Sequence, residues 1–313
     1  PCNIKKNLRK KIVNHWLESL RKKPYLHDKI EFDVAITCYS FDINKKINSS
    51  LKKSINSRER EILIKEYFKI TNNILKKYMD NGLQTEISKI EKLKLLQDKF
   101  RSNKGMVFDI KEKIYECKQL GTLPFSILAR YAFIADTFIK SLVNLNIISK
   151  NDAKNFYFSI KTIASDIATD IEKYRAKNIT ENEFFKKYGH LRPGTYDICS
   201  KRYDESSLFK NKKRVKRSVK KIQDQNFNFT KNTFNKIDLI LKKNSFNLSS
   251  KTFVDFIKES IKAREYAKFI FTKSISDILE RLQIFFKKFR LSSDDISYLE
   301  INDILRFIRN KKI

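Results

Sequence analysis

A chain of 313 residues that is 41% hydrophobic, with 25 Phe and 13 Tyr, can bury a sizeable core and is expected to fold as one large or two ordinary domains. Five Gly and four Pro are few for a sandwich or barrel built on tight turns, so the expected fold is mainly α, a multi-helix bundle-like domain. The formal charge of +31, from 67 Lys and Arg against 36 Asp and Glu, would draw nucleic acid or another polyanion, but the basic residues are spread along nearly every helix and match the Lys, Asn and Ile bias of an A/T-rich coding sequence.

Apolar residues at Ile4, Leu8, Ile12, Trp16 and Leu20 place a helix over residues 4 to 22, which Pro24 ends. Ile30, Phe32, Val34 and Ile36 alternate with polar or small residues, the period of a half-buried strand over about 30 to 38. A lone strand needs a partner, so either residues outside this chain supply one or residues 1 to 50, an N-terminal helix plus strand, are the remnant of a preceding domain. Asn56 and Glu59 have the spacing of an N-terminal cap for a helix over Ser57 to Met79, with Asn81-Gly82 as its stop. Helices are expected over about 86 to 100 and 107 to 119. Gly121-Thr-Leu-Pro124 then reads as a break before an almost wholly apolar helix over Phe125 to Leu145, expected to be the central buried one.

Ser149 with Asp152 starts a helix reaching about Tyr174, with a regular stripe of Ile160, Ile163, Ile167 and Ile171. Thr180 and Glu183 cap a short helix that runs into the least regular part of the chain. That segment, residues 188 to 205, closes a helical domain expected over 51 to 205. A basic linker is expected over 206 to 230, its densest run being Lys210 to Lys221, and a second helical unit over 231 to 313. In that unit a long helix carries Phe253, Phe256, Ile257, Ile261 and Phe269 on one wide face, and Ser292 with Asp295 caps a short helix.

Cys2, Cys38, Cys117 and Cys199 are far apart, and with three His they offer no zinc spacing and no disulfide framework, so no metal is expected. No apolar run of membrane-spanning length and no secretory leader is visible, which makes a cytoplasmic protein with no membrane partner the expectation.

Chemistry is sought first at residues 188 to 205. Gly189 stands where a helix end favours a left-handed residue, and Pro193-Gly194 fits the centre of a type II turn. Two such reversals would hold His190 and Arg192 in one shape, with Asp197, Arg202, Asp204 and Glu205 in reach for ion pairs. Two readings are open at this point: a loop that contacts a small anion or other ligand, or a rigid helix stop tied down through Asp197 or Asp204.

Gly189-His-Leu-Arg-Pro-Gly-Thr-Tyr-Asp-Ile198, followed by Arg202-Tyr-Asp-Glu205, resembles the central helical region of phosphoenolpyruvate synthase and pyruvate phosphate dikinase-like phosphotransferases. Gly121 to Ala135, Ala263-Arg-Glu-Tyr-Ala-Lys-Phe269 and Leu291 to Leu299 are similar to further stretches of that family in the same order. The resemblance implies a middle domain, present here as an isolated fragment, working between an ATP-grasp domain that binds ATP and Mg2+ and a swivelling domain that carries a phosphohistidine. This chain has no Gly-rich nucleotide loop, and His15, His27 and His190 do not sit in a Thr-x-Gly-Gly-x-x-Ser-His setting. By itself it is therefore expected to bind no cofactor and to be catalytically silent. His190, Arg192, Gly194, Asp197, Arg202, Arg264 and Glu265 are the expected ligand or domain contacts. The alternative is a basic helical protein that binds nucleic acid.

Overall fold

The expectation of a mainly helical protein holds throughout the computed structural model, which describes residues 4–102, 109–206 and 227–310. Thirteen α-helices account for most of these residues: α1 Lys6–Lys22, α2 Ile43–Leu51, α3 Ser57–Met79, α4 Gly82–Ser102, α5 Ile110–Cys117, α6 Leu123–Asn144 and α7 Lys150–Ser159, then α8 Ile163–Arg175, α9 Glu181–Tyr188, α10 Lys231–Lys243, α11 Ser250–Lys287, α12 Ser293–Ser297 and α13 Ile301–Asn310. The basic run 210 to 221 lies outside the described residues.

No strand occurs among the described residues, and the first part of the segment expected to be one, Ile30–Val34, is helical. Pro24–Lys29 forms a 3-10 turn and Ile30–Val34 a π-helical turn, closed by the Ala35 N–H donating to the Ile30 carbonyl at 2.7 Å. An unaccompanied strand would leave its backbone groups without partners, whereas a wide helical turn satisfies them locally. Four apolar residues in alternation carry too little pattern to distinguish the two.

The break expected at Gly121 to Pro124 is also absent. The backbone stays helical from α5 through a π-helical turn at Lys118–Thr122 into α6, and Pro124 falls in the first turn of α6, where a missing N–H is tolerated. Gly121 is there for close approach: a Cβ would lie 2.7 Å from the Phe271 Cβ and 2.9 Å from the Leu93 Cδ2. By length and composition the run Ile110–Asn144 could cross a membrane, which amends the sequence expectation, but half of its most apolar stretch is buried within the protein, the setting of a core helix.

The capping predictions describe real contacts. The Asn56 and Glu59 pair, the Ser149 and Asp152 pair, the Thr180 and Glu183 pair and the Ser292 and Asp295 pair each form reciprocal side-chain-to-backbone bonds. Asn81 takes the left-handed conformation (φ 60°) that ends α3. The single helix expected from Ser149 to Tyr174 is two, because the chain turns extended at Ile160 and restarts where the Thr162 N–H donates to the Ser165 Oγ at 2.9 Å.

The chain forms two compact units, each drawn from three stretches. The first takes the described residues of Pro1–Leu83, Ala129–Ile160 and Asp224–Ile261. Its core is aromatic: Phe246 meets Tyr39, Phe41, Phe68 and Phe138 at centroid distances of 5.0 to 6.1 Å, and Phe253 packs on Phe41 and Phe138. Beside that cluster the buried Asp42 carboxylate accepts from Ser40 Oγ and Asn144 Nδ2 and pairs with Lys46. Burial pushes the Asp42 carboxyl upward, but these bonds prevail and hold it below the ordinary carboxylate range.

The second unit takes the described residues of Gln84–Leu128, Lys161–Gln223 and Lys262–Ile313. Its core joins Ile278, Leu282 and Phe286 of α11 to Ile110, Ile198, Ile296, Ile304 and Ile308. Gln97 of α4 is sewn to α11 by bonds to the Ile270 carbonyl (2.7 Å) and Ser274 Oγ (2.6 Å).

Candidate functional site

The irregular stretch after α9 folds into a closed loop within the second unit. Its ends are joined where the Tyr203 N–H donates to the Leu191 carbonyl (2.9 Å) and the Asp204 N–H to the Gly189 carbonyl (3.4 Å). At its tip the Asp197 N–H reaches the Gly194 carbonyl, the Gly194 N–H reaches Ser200 Oγ, and Asp197 Oδ1 accepts from the Cys199 N–H at 2.8 Å. The Ile198 side chain enters the core and its carbonyl accepts from Gln283 Nε2 at 2.7 Å, fixing the tip to α11.

Neither glycine has the backbone expected of it. Gly189 continues the right-handed path of α9 (φ −57°, ψ −31°), and no described glycine has a positive φ, so Pro193-Gly194 is not a type II turn. Close approach is the reason for glycine at both positions. A Cβ on Gly189 would meet the Phe185 carbonyl oxygen at 2.5 Å and Asp204 Oδ2 at 2.6 Å, and one on Gly194 would sit 3.0 Å from the Asp197 Cβ.

The loop's two arginines do different work. Arg202 is 1% exposed and surrounded by carboxylates: Nε and one terminal nitrogen fork onto both oxygens of Asp204 at 3.1 Å, while the other terminal nitrogen meets Asp277 at 3.0 Å and Glu280 at 2.7 Å. Burial works against the Arg202 charge, but its carboxylates prevail and raise its pKa. Arg202 therefore fastens the loop to α11 through Asp277 and Glu280, while Asp204, one of the two partners the sequence offered, braces it from within the loop and Asp197 does not reach it.

Arg192 is 6% exposed and points instead at a cavity of about 220 Å3 in the same unit. His190 and Thr195 come to that cavity from the loop, Glu265, Lys268, Phe269, Thr272 and Ser276 from α11, and Ile163, Ala164 and Ile167 from α8. His190 is 2% exposed and stands edge-on to Phe269, ring centroids 4.8 Å apart. Tyr188, at the end of α9, is held by its hydroxyl on Asp170 Oδ2 at 2.8 Å, an oxygen that also takes the Lys187 ammonium. That grip fixes the spacing of α8 and α9 behind the cavity.

No protein-family model, curated protein or solved structure matches the chain. The family resemblance rests on the quoted residues alone.

Of the expected contacts, His190, Arg192 and Glu265 meet at one cavity, Glu265 being paired there with Arg264 at 2.7 Å. Gly194 and Asp197 shape the loop tip, and Arg202 anchors it. Sequence reasoning missed Lys268, Thr195 and the α8 wall. Ile163 and Ile167 belong to the regular stripe of the sequence, but no α8 residue is fully buried, and these two line the cavity. Lys268 stands three residues after Glu265 and four before Thr272 on α11, the spacing of a shared helical face, and that is the local signal that could have found it. Among the described residues no group of three or more His, Cys, Asp and Glu is arranged to hold a metal ion.

Proposed function

We propose that this chain is the middle, acceptor-contacting domain of an ATP-dependent phosphotransferase resembling phosphoenolpyruvate synthase. On this reading ATP and Mg2+ are handled by an ATP-grasp domain and the phosphoryl group by a swivelling phosphohistidine domain, on the same or a separate chain, in the cytoplasm. His190 and Arg192 act as ligand or domain contacts and not as the phosphocarrier. The observation that supports the reading is that the segment carrying the resemblance folds as a pinned loop and delivers His190 and Arg192 to one cavity wall.

The test begins with the DNA flanking this reading frame, where an ATP-grasp domain and a Thr-x-Gly-Gly-x-x-Ser-His segment are expected. In the enzyme containing them, His190→Ala is expected to leave ATP-dependent histidine phosphorylation intact while raising the acceptor KM or lowering its turnover. Wild-type turnover and KM in that variant would remove His190 from the proposal. The charge of +31 favours one other reading, a helical protein that binds nucleic acid. A filter-binding titration that finds no affinity at low salt disposes of it.

A further inference from the structure

Buried guanidinium groups are normally matched by carboxylates, because removing an unpaired cation from water is heavily penalised. Arg202 obeys this rule with three of them. Arg192, in the same loop and nearly as buried, has no carboxylate at ion-pair distance among the described residues. Its bonds go from Nε to Ser276 Oγ (3.0 Å), from one terminal nitrogen to the Ser276 carbonyl (3.5 Å) and from the other to the Ser200 carbonyl. A guanidinium has five N–H donors in a planar fork. These three bonds leave one N–H on each terminal nitrogen with no acceptor among the described residues. Burial accordingly lowers the Arg192 pKa below the usual guanidinium value.

The rest of the cavity repeats the theme. Lys268 brings a second, exposed positive charge, and the one lining carboxylate, Glu265, is taken by Arg264. The remaining lining is largely apolar, with Ile163 and Ile167 from α8 and Phe269 from α11. A volume of about 220 Å3 falls below the ~300–1,000 Å3 of pockets for drug-sized ligands, which suits a small metabolite.

We propose that this cavity binds a small organic monocarboxylate with an apolar body. Its two oxygens take the two remaining N–H groups of Arg192, Lys268 adds charge at the mouth, and the aliphatic or aromatic part lies against Ile163, Ile167 and Phe269. A phosphate monoester fits less well, since it brings three oxygens and nearly two charges to two N–H groups and one buried cation. The inference stands apart from the phosphotransferase reading and is tested on the 313-residue chain alone.

The probes are benzoate and isovalerate, with benzamide as the neutral counterpart of benzoate and inorganic phosphate as the competing anion, followed by calorimetric titration and ligand-observed NMR. At least one carboxylate is expected to saturate, with benzamide about tenfold or more weaker. Arg192→Gln is expected to weaken the carboxylate about 10- to 100-fold. Lys268→Gln, at an exposed helical position that folding does not depend on, is expected to weaken it by about two- to fivefold. Lys251→Gln, exposed and outside this cavity, is expected to change nothing. If circular dichroism shows Arg192→Gln unfolded, the Lys268→Gln variant and the benzoate-to-benzamide ratio decide. The proposal is overturned if neither carboxylate saturates, if benzamide binds as well as benzoate, if phosphate binds as tightly as the carboxylates, or if folded Arg192→Gln binds like wild type.

Discussion

Replacing Arg202 by Met keeps the volume of the side chain in its slot and removes its charge, leaving Asp204, Asp277 and Glu280 facing one another. The Arg202 side chain is 2% exposed and that of Asp277 7%, whereas Asp204 and Glu280 are 30% and 37% exposed. Water can therefore take over part of the work at Asp204 and Glu280, where each pair is worth only ~0–1 kcal/mol, while the orphaned Asp277 has no such relief. Breaking a buried pair costs about 3–5 kcal/mol, and that is the loss expected for Arg202→Met, most of it from Asp277. Burial already raises the Glu280 carboxyl pKa, and removing Arg202 takes away the charge that opposes that rise. A carboxyl whose folded pKa is raised contributes stability below its unfolded pKa and loses it as pH climbs through the folded value, so the deficit of the variant should grow as pH rises above the ordinary carboxylate range. Urea denaturation followed by far-UV circular dichroism, with hydrogen exchange of peptides covering 189 to 206, measures both effects. Arg202→Met with Asp277→Leu should regain much of the loss, since a packed apolar pair replaces an orphan charge. A loss under about 1 kcal/mol for the single variant, with unchanged m, would refute the assignment of Arg202 as the anchor of the loop.

Gly121→Ala puts a methyl group into the Cβ of Phe271, a rigid neighbour, and is expected to cost about 1–3 kcal/mol; an unchanged melting temperature would show that α11 yields there. Phe246→Ala empties the centre of the aromatic cluster in the first unit and should cost about 3–5 kcal/mol in a urea titration, with less than about 1 kcal/mol counting against that cluster as the core. Asp42 has a depressed carboxyl, so its share of stability is complete above the unfolded pKa and is lost as pH falls through the folded one. Asp42→Asn should accordingly lie below wild type at neutral pH and converge with it in acid, and parallel stability curves across that range would contradict the sign.

What the sequence made legible is what local chemistry decides. The four capping boxes are pairs three residues apart whose partners are each other's backbones, so no distant residue can alter them. The segment at Ile30 to Val34 was misread because its outcome depends on whether a partner strand exists elsewhere. Gly121, Gly189 and Gly194 were read as turn residues, but each answers to a neighbour in space: Phe271, Asp204 and Asp197. The candidate site shows the same divide. Its location after α9 was visible in the density of Gly, Pro, His and Arg, but the roles of its arginines were not, because Asp277 and Glu280 reach Arg202 across 75 and 78 residues and bypass Arg192.

The 38 residues of α11 have a consequence for biosynthesis. Its first turns, with Phe253, complete the aromatic core of one unit, and its later turns, with Ile278, Leu282 and Phe286, complete the core of the other. A nascent chain that has emerged from the ribosome only as far as α10 can close neither core, whatever its helices do alone. Vectorial synthesis thus offers no unit-by-unit assembly here, and no single contiguous stretch of the gene encodes either unit for expression on its own.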